Sequence, residues 1–336
     1  MAKRLEEFDV LKGIGILLVV LGHCEIGDAP SRVIFSFHMP LFIMVSGFFF
    51  YRQPPVAFLK KTAMRLLVPW LFFALLNVLY AIGFGLWSTH DIQASIVDTF
   101  SRVNPWREYS HLVYRSIWFL VVLFFAGNIY NLMGHLLARL RMDDPRVLDA
   151  VVLLSFIAGY LLQRYLDLPL YVDVALSVVI YYHLGARLKP FLTRARDKGV
   201  WMSPWLSLVV FAGLMCVPAF TSVPKVNIKL NLYPWWLPLF EIPVFIAMCN
   251  MVRGFCSRPT CRPLRRFLVE CGKYSICFLG FHRIFMDAIY LVYGGLKPMS
   301  ETLHIIIYFV ILIPLVLWLS RLLERHAPLL VGFKRH

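Results

Sequence analysis

The chain has 336 residues, of which 60% are hydrophobic and 16% are charged, and its formal net charge is +15. Because soluble domains contain about 25% charged residues, this composition excludes an ordinary soluble protein and predicts an all-α polytopic membrane protein. Apolar segments recur from end to end, so 1–336 is predicted to form a single membrane-embedded domain. The positive charge is attributed to membrane topology, with no nucleic-acid partner expected.

About ten apolar segments are long enough to form the transmembrane helices of a helical bundle. Their approximate bounds are 9–27, 33–51, 66–87, 114–136, 148–166, 170–187, 204–222, 235–252, 274–293 and 303–321. With the N-terminus in the cytoplasm, most of the 34 Lys and Arg residues lie in cytoplasmic segments. The positive-inside rule therefore predicts that the N- and C-termini are both cytoplasmic.

The first apolar segment, FDVLKGIGILLVVLGHC, contains Asp9, Lys12 and His23. Lys12 and His23 are eleven residues apart, so on a helix they point in directions within roughly 20° of each other, roughly 16 Å apart along the axis. Asp9 lies near the same face. Ionisable residues inside an apolar helix indicate a functional site.

Two interpretations of each of these basic residues stay open. His23 could orient or deprotonate an acceptor hydroxyl, or it could simply cap the helix at the membrane interface. Lys12 could hold a phosphate or stabilise a thioester donor, or it could pair with Asp9 at the cytoplasmic boundary.

The second segment, VIFSFHMPLFIMVSGFFFY, contains Pro40, which removes a backbone donor, and a second weak point at Ser46-Gly47. We expect a broken helix here, which a membrane tolerates where the break lines protein or a cavity. His38 is therefore predicted to line the reaction centre. The alternative is an imidazole that pairs with backbone groups freed at Pro40.

Basic residues at the cytoplasmic boundary are candidates for binding the phosphates of a nucleotide-bearing donor. They are Lys61 and Arg65 in KKTAMRLLVPW, and Arg265 and Arg266 in the arginine-rich segment 253–273. Ordinary positive-inside topology with contact to anionic lipids is the alternative.

Two later residues are candidates for contact with the acyl or sugar group. Trp118 begins the fourth segment and belongs either to a wall of the site or to an aromatic belt at the membrane surface. His282 and Arg283 lie within the ninth segment, where Asp287 follows Arg283 by four residues and an internal structural pair is the alternative.

Common catalytic motifs are absent from the sequence: a Gly-x-Ser-x-Gly elbow, a P-loop, a dinucleotide fingerprint and His-Glu-x-x-His. Cys256 and Cys261 lack the paired ligand spacing of a zinc site, so no metal is expected.

Five motifs, in order, resemble those of the acyltransferase family 3 membrane proteins. They are Lys12 and His23 with ten residues between them, FSFHMPLFIMVSGFFF at 35–50, Arg65 to Pro69, IWFL at 117–120, and GKYSICFLGFH at 272–282. Arginine is commoner in the family than lysine at the position of Lys12. The F-H-M-P-L-F element is most similar to the polysaccharide and fucose O-acetylase-like subgroup.

The resemblance implies an O-acetyltransferase of the bacterial inner membrane. Acetyl-CoA would donate from the cytoplasm, and a hydroxyl of an extracytoplasmic or lipid-linked glycan would accept. The catalytic pair maps to Lys12 and His23. Substrate-binding residues are extended to Asp9, His38, Trp118 and His282, and donor-binding residues to Arg65, Lys61, Arg265 and Arg266.

Three alternatives stay open: a glycan or lipid transporter or flippase, a non-catalytic partner in a polysaccharide-export complex, and transfer of succinyl rather than acetyl. Membrane lipids are expected partners. The oligomeric state stays open, with a homo-oligomer as one alternative.

Overall fold

The computed structural model describes residues 5–24, 26–93, 97, 116–163, 165–166, 168–199, 202–221, 225–293 and 301–333. These residues are almost entirely helical, and the β-structure among them is one isolated bridge between Asn227 and Leu232. The prediction of an all-α protein is therefore confirmed.

The α-helices in the described ranges are α1 (Glu6–Gly22), α2 (Asp28–Phe48), α3 (Pro55–Thr62), α4 (Val68–Thr89), α5 (Trp118–Arg139), α6 (Pro145–Leu162), α7 (Val172–Asp197), α8 (Pro204–Phe220), α9 (Leu237–Cys256), α10 (Arg262–Lys273), α11 (Ser275–Tyr293) and α12 (Glu301–His326). A π-helical turn, Ala63–Leu67, connects α3 to α4.

Seven helical segments of the described chain are long and apolar enough to cross a bilayer. They are Asp28–Phe48, Pro55–Phe84, Trp118–Arg139, Pro145–Leu162, Pro169–Asp197, Leu237–Cys256 and Ile305–His326. Helix α8 is apolar but has 17 residues, and α1 has the same length with three acidic residues in its first turn. The protein is thus a helical membrane protein, while the count of about ten spans and the location of the termini stay predictions.

The expected break in the second segment is wrong, because α2 continues through Pro40 from Asp28 to Phe48. Proline removes only the hydrogen bond to the carbonyl of Ser36, four residues earlier. The residues around Pro40 are buried, so packing against other helices maintains the helix across that one missing bond.

The chain divides into two compact units. The first comprises 1–51, 178–278 and 300–306, and the second comprises 52–177, 279–299 and 307–336. The prediction of a single membrane-embedded domain stays a prediction.

In the first unit, glycines allow helix backbones to touch. A Cβ at Gly13 would overlap the carbonyl of Leu268, and one at Gly272 would overlap the carbonyl of Asp9, so α1 and α10 are in backbone contact. Phe37 of α2 packs edge-on against Phe211 of α8, with 5.6 Å between ring centroids. The backbone contact with α10 sets the position of α1 and of its ionisable residues.

In the second unit, the segment before α3 is attached to α5. Gln53 exchanges two hydrogen bonds with the Asn131 side chain, at 3.1 and 2.9 Å, and its carbonyl lies 2.7 Å from Nε2 of His135. Arg52 binds Asp143 through two hydrogen bonds, of 2.9 and 2.7 Å, and this guanidinium holds the pKa of the Asp143 carboxyl below its ordinary value. The start of α3, and with it the π-helical turn, is therefore positioned by α5.

Candidate functional site

Asp9 and Lys12 form an ion pair in the first half of α1. Lys12 Nζ lies 2.7 Å from Asp9 Oδ1, one helical turn away. The Asp9 side chain is 10% exposed and the Lys12 side chain 25%. The pairing that was one of the two open interpretations of Lys12 is therefore present, and it leaves the ammonium oriented by the carboxylate at a partly accessible position.

His23 follows the last residue of α1 and caps the helix. Its backbone N–H donates to the carbonyl of Val20 at 3.1 Å, and its side chain is partly exposed. The imidazole and the Phe35 ring form a T-shaped pair, with 5.9 Å between ring centroids. Since α1 rises about 1.5 Å per residue, His23 lies roughly 16 Å from Lys12 along the axis.

His38 is buried in α2, and a single hydrogen bond determines its tautomer. Its Nδ1 lies 2.6 Å from the carbonyl oxygen of Ile34. A carbonyl only accepts, so Nδ1 carries the proton and, in the neutral ring, Nε2 carries the lone pair. The acceptor is Ile34 and not Ser36, whose carbonyl Pro40 leaves without its helical partner, so backbone groups freed at Pro40 do not explain His38.

Phe35 lies between the two histidines and was missed by the sequence analysis. Its ring centroid is 5.0 Å from that of His38, and Lys225 Nζ lies 4.0 Å from the Phe35 centroid. Phe35 precedes His38 by one helical turn, which is a signal available from the sequence. Lys225 has no such signal, because only the fold brings its segment to α2. We call His23, Phe35, His38 and Lys225 the histidine cluster.

A cleft lies beside the first half of α1. Most of its walls are apolar, and they include Leu5, Phe8, Leu11, Phe48, Leu192 and Val252. Glu7, Thr193, Arg196 and Cys249 supply its polar atoms. Arg253, on α9, interacts electrostatically with Glu7 and Arg196 of this lining. We call this region the basic cleft.

Two of the predicted donor-binding residues lie on α10 and outside the lining of the basic cleft. Arg265 donates to the Cys256 carbonyl at 2.8 Å, and its Nε lies 3.8 Å from Glu6 Oε2. Arg266 is exposed. Arg196, which does line the cleft, was not among the predicted donor-binding residues.

The second unit contains the other candidate residues. His282 is fully buried in α11, and its Nε2 is hydrogen-bonded to Ser116 Oγ at 3.3 Å. Trp118, two residues after Ser116, is buried against Tyr171 with 6.0 Å between ring centroids. These contacts bring His282 and Trp118 to the start of α5, and Ser116 is a neighbour that the sequence analysis missed.

Lys61 and Arg65 lie on the α3 side of the second unit. Lys61 Nζ donates to Gln53 Oε1 at 3.2 Å, and Arg65 is exposed within the π-helical turn. Such turns occur frequently at functional sites because they re-aim side chains that a regular helix would direct elsewhere.

A buried carboxyl in the first unit was also missed. Glu241 lies in α9 with 1% of its surface exposed, and its Oε1 has no hydrogen-bond partner among the described residues. It interacts electrostatically with the buried Tyr181. An acidic residue within a predicted span was a signal available in the sequence.

Within the described chain, no three His, Cys, Asp or Glu side chains are grouped so that they could hold a metal ion.

Comparison with curated proteins and with solved structures gives no match. Residues 5–324 match the family model Acyl_transf_3, described as an acyltransferase domain. This match covers nearly the whole chain and confirms the resemblance; the polysaccharide and fucose O-acetylase-like subgroup stays a prediction. The chain therefore belongs to acyltransferase family 3 and is a membrane acyltransferase.

Proposed function

We propose that the protein is an O-acetyltransferase of the bacterial inner membrane that moves an acetyl group from acetyl-CoA to a hydroxyl of an extracytoplasmic or lipid-linked glycan. The observation that carries the proposal is the separation of two chemical regions on α1. The basic cleft lies beside its first half, and the histidine cluster lies at its other end.

The basic cleft suits the donor. Coenzyme A combines phosphates with a long, weakly polar arm that ends in the thioester. Apolar walls from α1, α2, α7 and α9 would accommodate the arm, and Arg196 with Arg253 would attract phosphates. Arg265, Arg266, Lys61 and Arg65 remain proposed as further cations for the donor, and Lys12, oriented by Asp9, as the residue that positions or polarises it.

The histidine cluster suits the acceptor. A neutral imidazole takes the proton of the attacking hydroxyl while the hydroxyl oxygen bonds to the thioester carbonyl carbon. The carbon–sulfur bond then breaks, and the thiol leaves with a proton, so that one ester and one free coenzyme A form for each thioester consumed. We assign His23 as the residue that deprotonates or orients the hydroxyl, and His38 as a contact to the acceptor. Trp118 and His282 remain proposed contacts of the acyl or sugar group.

The first prediction concerns His23. Membrane vesicles that contain the full-length protein are incubated with acetyl-CoA labelled in the acetyl group, and label in extracted glycans and glycolipids is measured together with thiol release. His23→Ala should lower transfer by about a hundredfold or more, the usual loss on removing a general base. His326→Ala removes an exposed histidine at the end of α12 and should leave transfer unchanged.

Undiminished transfer by His23→Ala would refute its assigned role. Movement of a glycan without thiol release would identify a transporter instead of an acyltransferase. Faster transfer from succinyl-CoA than from acetyl-CoA would identify succinyl-CoA as the donor, and the protein would still be an acyltransferase.

A further inference from the structure

Lys225 is the one member of the histidine cluster with an uncompensated charge among the described residues. It is exposed, and its ammonium lies over the face of Phe35, 4.0 Å from the ring centroid. No carboxylate of the described chain lies within ion-pair distance of it.

Three other cations of the first unit, by contrast, have partners. Lys12 is paired with Asp9, and Arg265 with Glu6. Arg32, one turn before Phe35 on α2, donates from both Nη atoms to the carbonyls of Ala219 and Thr221, at 3.1 Å each, and so caps the end of α8. The Arg32 guanidinium is therefore occupied by hydrogen bonds within the protein, whereas the protons of the Lys225 ammonium are available to a ligand.

The position of Lys225 links it to the acceptor. The aromatic ring beneath its ammonium is the one that both imidazoles contact, and Lys225 interacts electrostatically with His38. A group bound by Lys225 would thus lie next to the residues that we assign to the acceptor hydroxyl.

We propose that Lys225 binds an anionic group of the acceptor, so that the substrate is an acidic or phosphate-bearing saccharide and not a neutral one. An ammonium forms charge-assisted hydrogen bonds with a carboxylate or a phosphate and gains far less from a neutral hydroxyl. Phe35 holds the cation in place through its ring face, and the sugar ring would then extend toward His23 and His38. The proposal rests on the acetyltransferase function given above.

The charge of the labelled product tests the proposal directly. Vesicles with the wild-type protein are incubated with acetyl-labelled acetyl-CoA, and the extracted saccharides are separated on an anion exchanger. The label should be retained on the exchanger. Label in the unretained, neutral fraction would overturn the assignment of an anionic acceptor and leave the acetyltransferase function intact. Absence of label from all saccharides would instead refute the acetyltransferase function.

Substitution of Lys225 tests the residue. Lys225→Gln should raise the KM for the acceptor about fivefold with little change in kcat, and Lys225→Arg should restore most of the loss. The loss should shrink as salt concentration rises, because salt screens an exposed charge. Lys229→Gln removes a lysine of the same segment and should change KM less than twofold.

Equal effects of Lys225→Gln and Lys229→Gln would overturn the role of Lys225. Loss of transfer in Lys225→Gln with a neutral labelled product would also overturn it, since it would assign the lysine to an anionic lipid head group instead of the acceptor.

Discussion

At the scale of single residues, the carbonyl of Ile34 decides which nitrogen of His38 is available for chemistry. The 2.6 Å contact uses Nδ1, and the lone pair on Nε2 remains. A backbone carbonyl thus has the orienting role that a carboxylate has in many histidine sites. His23 differs, because it caps a helix end and is partly exposed.

Amide substitutions separate the two nitrogens of His38. His38→Asn retains an N–H donor near the position of Nδ1 and removes Nε2, so we predict an unchanged melting temperature in detergent and a fall in transfer of about tenfold or more. His38→Gln places its amide nearer to Nε2 and loses the bond to Ile34, so its melting temperature should fall. Full transfer activity of His38→Asn would show that His38 has a structural role and no role in the reaction.

At the scale of elements, the close contact between α1 and α10 sets the surroundings of Asp9 and Lys12. Gly272 belongs to the GKYSICFLGFH motif, and its missing side chain allows α10 to lie against the carbonyl of Asp9. The family motif therefore has a structural meaning at this position, because a larger residue would separate the two helices beside the ion pair.

Gly272→Ala should lower the free energy of unfolding by about 1–3 kcal/mol, because its Cβ overlaps backbone that cannot rotate away. Transfer should fall as well, since the shift displaces α1. Gly213→Ala is the matched control in the same unit, because nothing lies within 4 Å of its Cβ. Alanine there should be neutral or stabilising by up to about 1 kcal/mol.

Thermal denaturation in detergent measures the stability of both variants. Equal stability of Gly272→Ala and Gly213→Ala would contradict the backbone contact between α1 and α10.

At the scale of the whole molecule, the membrane topology decides which end of α1 would face the proposed donor, coenzyme A. The positive-inside rule predicts that the basic cleft and α10 lie on the cytoplasmic side and the histidine cluster on the outer side. Two single-cysteine variants test this orientation with an impermeant maleimide. The cysteine of Asp91→Cys, in the predicted outer segment between the third and fourth spans, should be labelled on intact cells. Native Cys261, in a predicted cytoplasmic segment, should be labelled only after the membrane is permeabilised. Labelling of Cys261 on intact cells would show that the orientation is the opposite one, and it would exclude binding of a cytoplasmic donor at the basic cleft.

Much of the architecture could be predicted from local spacing alone. Apolar composition predicts membrane helices, and a helical period places Lys12 and His23 on one side of α1, because both properties depend on residues that are close along the chain. The same holds for the Asp9–Lys12 pair. The break at Pro40 was predicted wrongly, since packing by distant helices outweighs one lost hydrogen bond.

Only the tertiary structure could identify Lys225 on Phe35, Arg196 in the basic cleft and the carbonyl partner of Gly272. Each contact joins residues that are far apart in the sequence. Whether it forms depends on which helices pack together and on how far each is shifted along its axis relative to the other. Short-range periodicity determines the face that a side chain occupies on its own helix. The partner on that face is determined by the packing of the bundle, where shape, glycine positions and burial act together.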